Sequence, residues 1–323
     1  MSESILVTGG AGYLGSVVVE ELLARGYRVR VLDSLLHGSV PSLLLAWGHG
    51  RFEFVRADIR DPAARAHALE GVDGVVHLAA IVGDPACARA PELAREVNVE
   101  GTKALLEDGR AAGAKRFVFA STCSNYGKMN GGALATETFE LRPVSLYAET
   151  KVMAEQEVLT RAADGLAGCC LRFATVFGTS PRMRFDLTVN EFARDALLSR
   201  SLVVYGQQFW RPYIHVRDAA IAILAALAAP RDGIRGEVFN AGDTRHNYRK
   251  LDLVNLLRER LPDLDVEFVH KDEDPRDYRV SFEKIKRELA FTPRRSVASG
   301  IDELIALLRS GLLDDPYAPI YRN

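Results

Sequence analysis

Tyr147 and Lys151 stand four residues apart in LYAETK, a spacing that puts both side chains on one face of a helix. A phenol has an ordinary pKa of about 10, so a tyrosine acting as a general base at neutral pH needs about 4 kcal/mol of help from positive charge. The Lys151 ammonium is one such charge. Upstream, the run FVFASTCSNYG begins as a buried strand and ends in Ser121, Thr122, Cys123 and Ser124. Small hydroxyls at a strand tip suit proton handling, and Thr122 is placed to bridge a phenolate and a substrate alcohol. Thr122, Tyr147 and Lys151 are the expected catalytic residues.

A second pattern lies near the start of the chain. TGGAGYLG follows the first apolar run directly and sets Gly9, Gly12 and Gly15 three apart ahead of a helical segment. Such glycines permit a tight turn and a close approach of pyrophosphate to bare backbone, and the helix N-terminus offers unpaired N–H groups to the anion. RVRVLDS then ends in Asp33, at the distance where a carboxylate accepts both adenine-ribose hydroxyls and repels a 2′-phosphate. Together they predict NAD rather than NADP; Arg30 lies within the strand rather than beyond it. A positively charged nicotinamide ring is then the second cation available to Tyr147.

The elements that must position these groups alternate. ILVTG, RVRVLD, FEFVRAD, GVVHLAA and RFVFAS read as buried strands separated by helical periodicity such as YLGSVVVEELLARG, VSLYAETKVMAEQEVLTRAA as a long helix, and CCLRFATVFG as a sixth strand. Strand, helix, strand at this spacing predicts an α/β fold, a Rossmann-type doubly wound parallel sheet with ligands at the carboxyl ends of its strands. Beyond Gly178 the alternation loosens into a helix near 186–199, the short runs LVVYG, RPYIHV and EVFNAG, and two further helices. The expected organisation is a dinucleotide-binding domain over 1–178 and a smaller mixed α/β substrate cap over 179–323, some of whose segments return to the first domain. VPSLLLAWGHG is expected to pack as an apolar loop or short helix.

Composition excludes several classes. With 41 basic and 43 acidic residues no surface is built to neutralise a nucleic acid or an anionic membrane. Cys87, Cys123, Cys169 and Cys170 form neither a CxxC pair nor a zinc spacing, so no metal is expected, and adjacent Cys169 and Cys170 point to opposite strand faces. A reducing cytoplasm fits them. MSESILVTGG lacks a signal-peptide pattern, and AAIAILAALAAP is too short to span a bilayer.

In this order TGGAGYLG, HLAA, STCSNYG, YAETK and RPYIHV resemble the extended short-chain dehydrogenase/reductases, over nearly the whole chain. The resemblance implies a homodimer joined through helices running from Glu92 to Ala112 and from Leu146 to Ala163. It implies that Tyr13 and Leu14 of the glycine loop, Ser34 beside Asp33, and Phe173 contact NAD. Asp58 and Ile59 would flank the adenine, Leu78, Ala79 and Ala80 would line the trough, and Asn98 would hold that segment. Tyr147 and Lys151 match the family's base and its helper, and Thr122 its third hydroxyl.

The same resemblance implies a nucleotide-diphosphate sugar as substrate. Arg211 matches the cation aimed at the diphosphate, Val204 and Tyr205 the edge against which the base packs, and either Lys271 or Arg276 a second cation. Thr175 stands where many relatives place Asn, and Pro212 where an acid is usual. Arg182, Arg184, Asp186, Asn190 and Glu191 are available to read sugar substituents. Relatives that remove water from the sugar carry Asp and Glu where this chain has Cys123 and Ser124, both assigned to substrate contact, with packing the alternative for the thiol. The leading expectation is epimerisation at C4 through a transient ketone. Net reduction of a 4-keto sugar follows, then 4,6-dehydration, and last a non-catalytic NAD-binding sensor.

Overall fold

A computed structural model describes residues 3–38, 40–129, 132–162, 165–272, 274 and 276–323. Its strands are β1 (Ser4–Thr8), β2 (Arg28–Asp33), β3 (Phe52–Arg56), β4 (Gly74–His77), β5 (Arg116–Thr122), β6 (Ala167–Phe173), β7 (Thr175–Phe177), β8 (Ser201–Tyr205), β9 (Trp210–His215), β10 (Glu237–Ala241), β11 (Asn247–Arg249) and β12 (Asp265–Val269). Seven of them form a sheet in the order β10-β6-β5-β4-β1-β2-β3, every pairing parallel. This is a Rossmann-like α/β fold. The order reverses beside β1, which opens a crevice at the carboxyl ends of the strands.

Because side chains alternate along a strand, neighbouring residues feed different cores. Ile5, Val7, Val118, Cys169 and Leu171 pack with the helices Tyr13–Ala24 and Val216–Ala228. Leu6, Phe117, Phe119 and Cys170 pack with the helices Gly101–Ala111 and Leu146–Arg161. The adjacent cysteines therefore face opposite sides, and all four cysteines are buried and free.

One expectation about strands changes. CCLRFATVFG is not one strand: β6 ends at Phe173, and β7 leaves the large sheet to pair with β9 in a three-stranded sheet ordered β11-β9-β7. EVFNAG, expected among the short later elements, is β10 at the edge of the large sheet. The remaining pair, β8 and β12, is parallel, and a separate core including Phe185, Leu202, Val204, Leu253 and Leu304 lies among these later elements.

The segment Glu92–Ala112 is a helix Pro91–Arg95, one π turn Glu96–Glu100, and a helix Gly101–Ala111. Ala163, the expected end of the other helix, lies outside the described residues. VPSLLLAWGHG contains a 3₁₀ turn, Val40–Leu43, but packs only in part: Leu43 and Ala46 are buried, whereas Leu45 and Trp47 are 87% and 69% exposed. No helix among the described residues is long and apolar enough to cross a membrane.

Candidate active site

At the carboxyl edge of the large sheet lies a cleft of about 940 Å³. The glycine loop forms one end. Gly9 has φ 72°, and a Cβ there would lie 2.7 Å from the Ala79 nitrogen, so the loop and the Leu78–Ala80 strand end approach through bare backbone. A Cβ at Gly15 would overlap the Gly9 carbonyl. Only glycine lets the helix Tyr13–Ala24 start this close to β1. Asp33 ends β2 and accepts the Ala11 and Leu35 N–H groups at 3.0 and 2.8 Å. Burial raises its pKa against the effect of those bonds, and spare lone pairs remain to accept ribose hydroxyls. Bare backbone at the loop and a carboxylate beyond it fit a dinucleotide.

The trough beside it is held from behind. Asn98, in the π turn, accepts the Ile81 N–H at 2.7 Å and donates to the Ile81 carbonyl at 3.0 Å and to Thr150 Oγ1 at 3.1 Å. It thereby ties the trough to the helix that carries Tyr147. Unforeseen from sequence, His77 lies under the floor between Thr8 Oγ1 and Thr102 Oγ1, at 2.7 and 2.8 Å. Burial and then Lys151 push its pKa down to about 3, so it is a neutral structural hydrogen-bonder. Asp58 meets the cleft but is bound to Arg60; the following helix is capped instead by Asp61.

The polar strand tip divides in two. Thr122 and Ser124 line the cleft; Thr122 Oγ1 accepts the Ser124 N–H at 3.1 Å, and the Ser124 hydroxyl is 3.4 Å from Tyr278 Oη. Ser121 also borders the cleft, and its hydroxyl donates to Glu155 at 2.7 Å, within a buried network in which Glu155 also binds Arg172. Cys123 alone turns away: the thiol is fully buried, donates to the Arg172 carbonyl at 3.1 Å, and is pushed far up by burial. Its assignment to substrate contact is corrected, since the 3₁₀ turn Cys123–Tyr126 rotates it into the core.

Ser145 caps the helix Leu146–Arg161 and so fixes where Tyr147 enters the cleft. Lys151, one turn on, donates to the Ala120 carbonyl at 2.9 Å and lies 4.7 Å from the Phe119 ring centroid. Burial lowers its pKa to about 8. The Tyr147 phenol is pushed up, first by burial and then by Cys87; the cation that opposes this is Arg184 rather than Lys151. Without ligand the phenol is therefore neutral.

At the far end Arg211 and Arg276 both reach the cleft, and both are already paired. Arg211 binds Asp274 at 2.8 Å and packs over Tyr278, and Arg276 binds Asp84 at 3.1 Å. Lys250, not anticipated, joins them 3.9 Å from Asp274. Three assignments are corrected here. Val204 is fully buried in the core under β8, Tyr205 points the other way, and Lys271 sits over the Tyr205 ring at 5.3 Å instead of reaching the cleft. Thr175 and Phe173 line the cleft as expected, as do Arg182, Arg184 and Asp186. Asn190 is buried and spent on the Gly178 N–H and the Arg184 carbonyl, and Glu191 does not reach the cleft.

A Rossmann sheet with this glycine loop, a carboxylate at the end of β2 and a Tyr–Lys helix defines a dinucleotide-dependent enzyme. The chain belongs to the NAD dependent epimerase/dehydratase family, whose model matches residues 5–242. It is 34% identical over 251 residues to a 3 beta-hydroxysteroid dehydrogenase/Delta 5-->4-isomerase of Mycobacterium tuberculosis, covering 74% of this chain and 64% of that protein. It is 29% identical to the UDP-glucose 4-epimerase of Bacillus subtilis, over 94% of this chain and 95% of that one. The dTDP-glucose 4,6-dehydratase of Streptomyces venezuelae, solved with NAD, superposes with a TM-score of 0.85 at 31% identity, over 95% of this chain and 97% of that one.

Proposed function

We propose that this chain interconverts C4 epimers of a nucleotide-diphosphate sugar through a transient 4-keto sugar. The observation that carries the reading is that Thr122 and Tyr147 face one cleft above Lys151, with no carboxylate at positions 123 and 124. NAD bound in the cleft supplies the site that takes a hydride from C4 and returns it. Tyr147 accepts the C4 hydroxyl proton, directly or through Thr122, and gives it back in the second half. Its raised pKa means that the anion forms only when a ligand adds positive charge nearby. Lys151, bound to the Ala120 carbonyl and lining the same cleft, would hold the nicotinamide ribose. Arg211, with Arg276 and Lys250, offers cations to the sugar diphosphate.

Dehydration is disfavoured because Cys123 is buried, held by the Arg172 carbonyl and shifted up in pKa, and Ser124 is a poor acid. The homodimer is part of this proposal, with the helices Gly101–Ala111 and Leu146–Arg161 as its interface; a monomer on sedimentation would remove it. The purified protein is expected to retain NAD and to equilibrate two C4-epimeric nucleotide sugars without added cofactor, followed by NMR. Stoichiometric NADH consumption with a keto sugar would support reduction instead, and a product lighter by one water would support dehydration.

A further inference from the structure

Arg182 is 5% exposed and lines the cleft, yet among the described residues it has no ion-pair partner. Its Nη2 donates to the Arg322 carbonyl at 2.9 Å, and its buried Nε has no partner at all. The carboxylates within electrostatic reach make no bond to it: Asp186 is bound to Arg184 through two bonds, and Asp33 accepts two backbone N–H groups. Arg184 adds a like charge, and burial, then Arg184, lower the Arg182 pKa to about 10. A guanidinium buried without a directly bound carboxylate is costly unless an anion completes it.

The position of the loop says which anion. Two residues before Arg182, the Ser180 hydroxyl donates to the Tyr13 carbonyl at 2.7 Å and lies 3.1 Å from Ser16 Oγ. Ser180 also accepts the Arg182 N–H at 3.3 Å. These bonds pin the loop after β7 onto the first turn of the helix Tyr13–Ala24, the end whose free N–H groups attract phosphate. The substrate-side cations gather at the opposite end, around Asp274. We infer that Arg182 is a cofactor-binding residue that reaches across from the loop after β7 to the NAD diphosphate, closing over it from the side opposite the glycine loop.

This inference rests on NAD dependence alone and not on the reaction proposed above, so a failure of either leaves the other standing. The test is the rate at which bound NAD leaves the purified full-length protein in a chase with unlabelled NAD, beside affinities for ADP-ribose, adenosine, UDP and dTDP. Arg182→Gln is expected to release NAD at least about tenfold faster and to weaken ADP-ribose equally, with adenosine, UDP and dTDP unchanged. The rise in its melting temperature on adding NAD should be smaller than in the parent protein, whereas loss of a purely structural arginine would lower the melting temperature with and without NAD alike. Should that variant not fold, Arg182→Lys, which keeps a cation without the planar fork, is expected to release NAD a few-fold faster. Unchanged release from a folded variant, or a loss confined to UDP and dTDP or to NADP, overturns the inference.

Discussion

The two ends of the cleft are built on different principles. At the cofactor end the groups that meet a ligand are backbone N–H groups, one carboxylate with spare lone pairs and, in Arg182, a cation with no bonded carboxylate among the described residues. At the substrate end each cation already has a carboxylate near it: Arg211 and Lys250 share Asp274, and Arg276 has Asp84. The first end is ready for its anion; the second must exchange internal partners for a diphosphate. That contrast is what the proposed function requires, a retained cofactor and an exchanging substrate, since releasing an internal ion pair offsets part of the energy of binding.

The comparison can be broken in several places. Gly15→Ala should have the largest effect, because the new Cβ would overlap the Gly9 carbonyl; purified variant is expected to carry no NAD, measured by absorbance after denaturation. Tyr147→Phe should keep NAD and lower kcat by about 10²–10⁴-fold, the usual worth of a general base. Retained turnover would remove the proposed base. Arg211→Met is expected to weaken UDP or dTDP binding by about 10-fold or more, since a charge-assisted hydrogen bond is worth about 1.5–3 kcal/mol, and to leave NAD retention unchanged.

Two smaller effects sharpen the contrast. Lys151, with its pKa lowered to about 8, is cationic below that pH and neutral above it. Activity that needs the ammonium is thus present below pH 8 and declines as pH rises through it, read from kcat/KM against pH. Asp274→Asn removes the carboxylate competing for Arg211 and should tighten UDP or dTDP by about threefold, the modest worth of a partly exposed pair. Weaker binding would mean that Asp274 orients Arg211 rather than competing for it.

The cofactor end was readable from the chain because its signals are local. Three glycines and the following helix lie within one turn of backbone, and Asp33 is delivered by the next strand of the same βαβ unit. Asn98 and Phe173 came with the resemblance. The substrate end was read less well. Val204 and Tyr205 alternate across β8, and which one faces a ligand depends on how the small β8–β12 sheet sits over its own core. Lys271 and Arg276 looked equivalent, yet one stacks on Tyr205 while the other crosses to Asp84.

By itself, the sequence determined the parallel sheet, the dinucleotide loop and the pairing of Tyr147 with Lys151 on one helix face, because strand alternation, glycine conformations and the helical repeat act over a few residues. Only the tertiary structure decided that Cys123 turns inward while Thr122 and Ser124 turn outward, that the Lys151 ammonium is bound to the Ala120 carbonyl, and that Arg182 is left buried with no bonded carboxylate among the described residues. Those outcomes depend on burial and on charges brought together from distant segments, and the energy of a charge is set by what surrounds it in space.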